Sequence, residues 1–382
     1  MTTAMPATMS DPVNAAILAV SEDRIAGFHR DPFAVIARQC GLPVDEVCER
    51  IAAMLEAGTI RRVRQTLLAT NLAEGALAAW KVPPERLQEA FDDLFENDPF
   101  SGHVVIRSGE PGSAGAEYRL WTTLKVPQGY SLQKHAAHLA RRIGASSHRL
   151  MRARALFALG VGHTRRRSLE PGARAEAPAG VQYPAVTELS EREWRVLTEL
   201  KREFEVAEVR PNPWQERARA AGETLDGFCE VARRLADRGV IGRFSTFLEH
   251  VKPTAGGERA TRYNALFHWA VPPGQEIAAG REVGRHHIIT HAYWREGGPD
   301  FRNVNVMAVA HGMEKETVLA HKAAIDAHLA EAGVEVTYTN VFWGGRSEIK
   351  PSEVAPAAYR EWCIANGIDP EAMREEETSG IS

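Results

Sequence analysis

PFAVIARQCGLPVDEVCERIAAMLEAGTIRRVRQTL (32–67) and PWQERARAAGETLDGFCEVARRLADRGVIGRFSTFL (213–248) align without a gap. Pro32 superimposes on Pro213, Gly41 on Gly222, Cys48-Glu49 on Cys229-Glu230, Gly58 on Gly239, Ile60 on Ile241 and Arg62 on Arg243. A repeat of this length marks a duplication, and it constrains the fold before any single motif is weighed. In each copy an apolar stretch of helical period is followed by a break at Gly41 or Gly222. A second helix then ends before Gly58 or Gly239, which describes a helix-turn-helix with wing strands after the glycine. EREWRVLTELKREF (191–204) is amphipathic and supplies the leading helix of the second copy, as 11–19 does in the first.

After an insertion in the second copy (KPTAGGER, 252–259) the register resumes, pairing ALAAWKVPPE (76–85) with ALFHWAVPPG (265–274). In the first copy strands are expected at 75–82, 103–107, 118–125 and 149–159, with helices at 84–96 and 131–143. The second copy repeats the order with strands at 263–271, 288–295, 303–311 and 334–343 and a long helix at 314–332. This β-α-β-β-α-β succession is ferredoxin-like. The fold class is therefore α+β: a tandem duplication of a winged helix-turn-helix followed by a ferredoxin-like domain. The expected units are winged helices at 1–70 and 189–255, ferredoxin-like domains at 71–164 and 256–348, and a linker at 165–188. The linker has too little periodic apolar content to pack, and the tail at 349–382 is mostly polar or acidic.

A chain of 382 residues exceeds what one core of roughly 100–200 residues serves, in keeping with several units. With 44% hydrophobic and 25% charged residues it is globular in composition rather than disordered. No apolar run approaches the roughly 18 residues of a spanning helix, and MTTAMPATMSDP lacks a basic segment followed by an apolar one, so no membrane association and a cytoplasmic location are expected. Cys40, Cys48, Cys229 and Cys363 show no paired spacing and read as reduced, mostly buried thiols. The net charge of −4 offers nucleic acid no general attraction, so an anionic ligand would need a local basic pocket. The first recognition helix sets Asp45, Glu46 and Glu49 against Arg50. In the second, Arg233, Arg234 and Arg238 are balanced by Asp226, Glu230 and Asp237, which disfavours DNA as a partner.

Alternate residues of a strand share a face, and this points to a site elsewhere. In 288–295 one face carries His291, Tyr293 and Arg295, the other Ile288, Thr290, Ala292 and Trp294. In 303–311 Asn303, Asn305, Met307 and His311 oppose a core face of Val304, Val306, Ala308 and Ala310. In 263–271 His268 opposes Ala265, Phe267, Trp269 and Val271. A sheet with helices on one side leaves such a face to a ligand, a second sheet or solvent. The recurrence of His, Tyr, Arg and Asn, where Thr, Lys and Glu would suit exposure, favours a ligand over a solvated face or a polar interface between the halves. His286, His287 and His291 fit no zinc spacing and lack acidic or cysteine companions, so no metal site is expected.

These segments together resemble the siroheme decarboxylases, Lrp/AsnC-like proteins whose two related subunits remove carboxyl groups from tetrapyrrole acetate side chains. The resemblance rests on LSEREWRVLTELKREFEV with a following Arg210-Pro211, on GVIGRF and GTIRRV, and on AAWKVPPERL. ITHAYWRE, VNVMAVAHG and YTNVFWGGRSEIK complete it. In that family the wing is followed by a segment like LRHR. Here the second copy reads Leu248-Glu249-His250-Val251-Lys252, keeping only the histidine, and the first copy has Ala69 in its place. His268 faces Ala79 and His311 faces Lys125 across the repeat, whereas His103 and Arg107 match His291 and Arg295. The resemblance implies a pseudo-heterodimer within one chain and admits a homodimer of such chains. It implies an iron tetrapyrrole substrate between the two sheets and no other cofactor, with one complete site carried mainly by the second copy. Arg107, Arg119, Lys125, Arg243 and Arg295 are the implied partners of its carboxylates, and His103, His268, Tyr293, Asn305 and His311 accompany them. His250 and His291 are the implied acids that protonate the side-chain carbon as CO2 leaves. An Lrp/AsnC-type transcriptional regulator and a non-catalytic tetrapyrrole-binding protein are the alternatives.

Overall fold

The computed structural model describes residues 5–160, 169–249, 257 and 261–376. The first copy runs α1 (Pro12–Ser21), β1 (Ile25–Ala26), α2 (Pro32–Cys40), α3 (Val44–Glu56), β2 (Ile60–Leu67), β3 (Ala73–Lys81), α4 (Leu87–Asn97), β4 (Ser101–Ser108), β5 (Leu120–Pro127), α5 (Leu132–Ile143) and β6 (Ser147–Leu159). The second runs α6 (Glu191–Lys201), α7 (Gln215–Ala220), α8 (Leu225–Asp237), β7 (Ile241–Leu248), β8 (Tyr263–Ala270), α9 (Glu276–Gly284), β9 (Ile289–Arg295), β10 (Val306–Gly312), α10 (Lys315–Glu331) and β11 (Tyr338–Ile349), and α11 (Pro356–Ala365) follows. The helix starts are written locally. Asp11 and Asp31 accept backbone N–H bonds at the heads of α1 and α2, each followed by a proline, and Ser190 with Glu193 forms a capping box on α6.

The wings depart from the expectation of one per copy. Strands β2 and β7 pair with each other, antiparallel, in a three-stranded sheet completed by β1. Arg64 stands opposite Ser245, the residue on which it superimposes in the repeat, so a pseudo-two-fold axis passes between them. Each copy offers a single long wing strand, and an unpaired edge finds its partner in its twin. Beneath the sheet one continuous core joins Phe33, Ile51 and Met54 of the first copy to Trp214, Phe228 and Phe244 of the second.

The ferredoxin-like order is realised twice, as β6-β3-β5-β4 and as β11-β8-β10-β9. The two sheets do not merely face one another. Edge strand β6 pairs with β9 and edge strand β11 with β4, closing all eight strands into one barrel. Closure removes every edge of these two sheets. On the outer faces Trp80 of β3 packs against Phe91 and Leu94 of α4 and Leu139 of α5, and Trp269 of β8 against Val283 of α9 and Val318 and Ile325 of α10. Inside, Trp121, Met151, Phe301, Met307 and Phe342 plug part of the lumen.

Four local readings are corrected. Asn303 lies in a turn at φ 55° before β10, not in a strand. Thr290 falls at a register shift between β9 and β10, so strict alternation fails there and its hydroxyl reaches the same side as His291. The described part of the linker does pack: Gln182 and Leu156 exchange backbone hydrogen bonds, and Ala179 and Val181 join the second outer core. The tail supplies α11, whose Tyr359, Trp362 and Cys363 enter the first outer core. Among the described residues no helix is long and apolar enough to cross a membrane.

Candidate functional site

Between the barrel lumen and the wing sheet lies a cavity of about 350 Å³, within the roughly 300–1,000 Å³ of pockets for drug-sized ligands. Its wall comes from both copies. Strands β4 and β5 supply His103, Arg107 and Thr123, while β9 and β10 supply His291, Tyr293, Arg295, Met307, Val309 and His311. Asn264 and Leu266 enter from β8, and the two-glycine bend Gly344-Gly345 of β11 gives way to Ser347 and Ile349. From the wing come Arg61, Arg62 and Arg64 of β2 and Phe247 of β7. Six arginines line the cavity, the sixth being Arg262, and among the described lining residues there is no carboxylate. In a chain of net charge −4 this is a concentrated local cation.

Burial lowers the pKa of four of these arginines without discharging them. Desolvation brings Arg64 and Arg107 down to about 10, and lowers Arg61 and Arg295 as well. All stay cationic at neutral pH. Their partners leave donors over. Arg107 Nη1 donates to Asn264 Oδ1 (3.1 Å), and Arg295 donates to Met151 O and lies 4.3 Å from the Tyr293 ring centre. Arg62 donates to Ile349 O and meets Glu203 from outside the cavity, at 3.1 Å in each case. The Nε atoms of Arg61, Arg62, Arg64 and Arg107 are buried without a hydrogen bond. Such groups are costly unless an acceptor arrives, and a ligand carboxylate is one.

Three histidines share the wall. His103 Nε2 bonds Ser347 Oγ (2.8 Å), and the His291 ring stacks on Tyr293. His291 Nδ1 meets Thr290 Oγ1 at 3.1 Å, and His311 is held between Asn264 and Thr290. Of the residues singled out from the sequence, His103, Arg107, His291, Tyr293, Arg295 and His311 thus meet around one cavity.

The others stand elsewhere. Lys125 lies inside the barrel beside this wall, its ammonium brought down to about 7 by burial and by the Arg295 charge. It runs past Gly75, where a Cβ would fall 2.6 Å from its Cδ. His268 is fully buried in the plug against Trp121 and Phe342, and burial with the Arg107 charge lowers it to about 3, so it is neutral. Asn305 braces Val271 through both amide ends. Arg243 donates to Glu22 O within the wing core, and Arg119 is exposed on the approach to β5. His250 lies outside the described residues.

The sequence reading missed the wing arginines and Asn264. Three arginines in the four residues 61–64 of a strand were a usable signal. Which side they faced depended on the crossed wing pairing, which no periodicity encodes.

Comparisons with known proteins agree with this architecture. The model of the AsnC-like ligand binding domain matches residues 72–158 and 261–341, and that of the siroheme decarboxylase NirDL-like HTH domain matches residues 28–61. A siroheme decarboxylase of Hydrogenobacter thermophilus is 27% identical over 294 residues, covering 76% of this chain and 80% of that protein. A siroheme decarboxylase NirDL subunit of Paracoccus pantotrophus is 23% identical over 302 residues, covering 76% and 83%. The crystal structure of the siroheme decarboxylase NirDL superimposes with a TM-score of 0.63 at 20% identity, over 92% of this chain and 98% of that one. A co-complex of siroheme decarboxylase NirDL with an iron-uroporphyrin III analogue gives 0.62 at 20% identity, over 93% and 99%. Two copies of the ligand-binding domain closing one barrel, a matching helix-turn-helix and relatives of this one kind converge: the chain belongs to the siroheme decarboxylases of the NirDL-like type, with two AsnC-like ligand-binding domains in one polypeptide.

Proposed function

We propose that this chain removes acetate carboxyl groups from siroheme or a closely related iron tetrapyrrole, bound in the cavity between the barrel and the wing sheet. The observation that carries the reading is the wall itself: among the described lining residues, six arginines and no carboxylate, arranged with apolar Leu77, Leu266, Met307, Val309 and Phe247. A flat macrocycle bearing many carboxylates requires both surfaces, and a single anionic group would not need so many cations.

Binding side-chain carboxylates to the arginines would pin the macrocycle and exclude water. The reacting acetate must stay out of such a clamp, because a guanidinium on its oxygens would stabilise the ground state more than the departing CO2. As its C–C bond breaks, the electron pair passes into the conjugated ring and returns to the methylene carbon with a proton, leaving a methyl group and CO2. We assign that proton to His291, which lines the cavity. Histidine titrates near neutrality and so can be both charged before the step and recharged after it. His250, implied with it, lies outside the described residues. The substrate's own iron and ring are the only cofactor-like groups the step uses.

Purified protein incubated anaerobically with siroheme is expected to give products lighter by one and then two CO2 by mass spectrometry. Stoichiometric binding with no change of mass would overturn the enzymatic reading.

A further inference from the structure

We infer that Asn264 is a positioning residue that holds His311 as the neutral Nδ1–H tautomer, so that of the two neighbouring histidines only His291 delivers protons; the catalytic half of this inference rests on the function proposed above. The chain of hydrogen bonds settles the protons one by one. Arg107 Nη1 lies 3.1 Å from Asn264 Oδ1, and a guanidinium can only donate. The amide oxygen therefore faces Arg107, and the amide nitrogen, also a pure donor, faces His311 Nε2 at 3.2 Å. Nε2 must present its lone pair, which places the His311 proton on Nδ1.

The other side of the ring agrees. Thr290 Oγ1 donates to Val309 O (3.1 Å), so its oxygen is left to accept. It faces His311 Nδ1 at a long 3.5 Å and His291 Nδ1 at 3.1 Å. His311 thus meets a donor at Nε2 and an acceptor at Nδ1, and a second proton would set N–H against the Asn264 N–H. His291 donates from Nδ1 in either charge state, so protonation at its Nε2 breaks none of these bonds. The bulge at Thr290 lets one hydroxyl serve both rings. The device exists once. Across the repeat Asn264 faces Gly75 and His311 faces Lys125.

The test uses the full chain labelled with 15N-histidine. Long-range 1H–15N correlations at neutral pH, assigned by loss of one ring's signals in His311→Gln, are expected to show His311 protonated at Nδ1 alone. In Asn264→Asp, whose side chain accepts, the Nε2 of His311 should become protonated. Turnover should then fall by about tenfold or more, the scale of outer-shell changes at reactive sites, with KM for siroheme moved far less than kcat. A wild-type His311 protonated at Nε2, or unchanged by Asn264→Asp in a folded protein, overturns the inference, and the wild-type spectrum decides alone if the variant does not fold. The Nδ1–H signature in a protein that never decarboxylates siroheme would keep the network and remove the proposed function.

Discussion

The two copies share a scaffold and divide the labour differently in the wing and in the barrel. In the barrel the second copy is the richer, placing Asn264, Tyr293 and His311 where the first has Gly75, Val105 and Lys125. In the wing the order reverses. The first copy turns Arg61, Arg62 and Arg64 to the cavity, while their counterparts are Gly242, Arg243 and Ser245, of which Arg243 is spent on Glu22 O. A fused dimer can thus specialise each half at each level, and the site is a composite that neither copy holds.

The sharpest way to break this comparison is to remove each member of its symmetric histidine pair in turn. His291→Ala should lower kcat by about 10²–10⁴, the usual worth of a positioned acid, whereas His103→Ala, whose ring is held by Ser347, should cost under about tenfold on the same scale; equal losses in anaerobic turnover assays would mean the copies act alike. Next are the wing arginines. Arg62→Met or Arg64→Met should weaken tetrapyrrole binding by about 10–100-fold, as expected for one charge-assisted bond of about 1.5–3 kcal/mol. Arg243→Met should lower Tm and leave the spectrally titrated Kd within about twofold, since it removes no contact to ligand.

His268 and its counterpart Ala79 separate the copies in stability. A histidine lowered to about 3 binds its proton less readily folded than unfolded, so below the unfolded value of about 6.5 stability falls with pH by up to about 1.4 kcal/mol per unit until about pH 3. His268→Leu should flatten that limb of a denaturant-monitored pH series. Smallest is Lys125. Near pH 7 it is half charged, so siroheme affinity should decline by a few-fold from pH 6 to pH 8 as the cation is lost, roughly the effect of one partly screened charge. Lys125→Met should remove that increment of the slope and keep whatever belongs to the histidines.

Much of this was legible in the residues. The duplication, the βαββαβ order and the polar faces of β9 and β10 follow from period and repetition, and His103, Arg107, His291, Tyr293, Arg295 and His311 were singled out by that route or by the family resemblance. What periodicity does not carry is how two sheets join. A strand's pattern says which residues share a face, not whether its edge meets solvent or another copy, so the closed barrel and the crossed wing were invisible, and with them the roles of Arg61, Arg62 and Arg64. Thr290 escaped because a bulge resets alternation at one residue. Arg119 drew attention by charge alone, and charge does not say which way a residue before a strand points.

The crossed wing also dictates an order of events. Strand β2 ends at residue 67, and its partner β7 begins at residue 241, so on a growing chain the first wing strand waits through nearly half of the polypeptide before it can pair. The open edge of β4 waits longer, from residue 108 until β11 starts at residue 338, and that of β6 waits from residue 159 until β9 starts at residue 289. Contacts so distant in sequence close slowly, and unpaired edges held open meanwhile are where chains stick to one another. The yield of this protein should therefore depend on how fast its second half is made, a kinetic debt incurred by building one site from two copies.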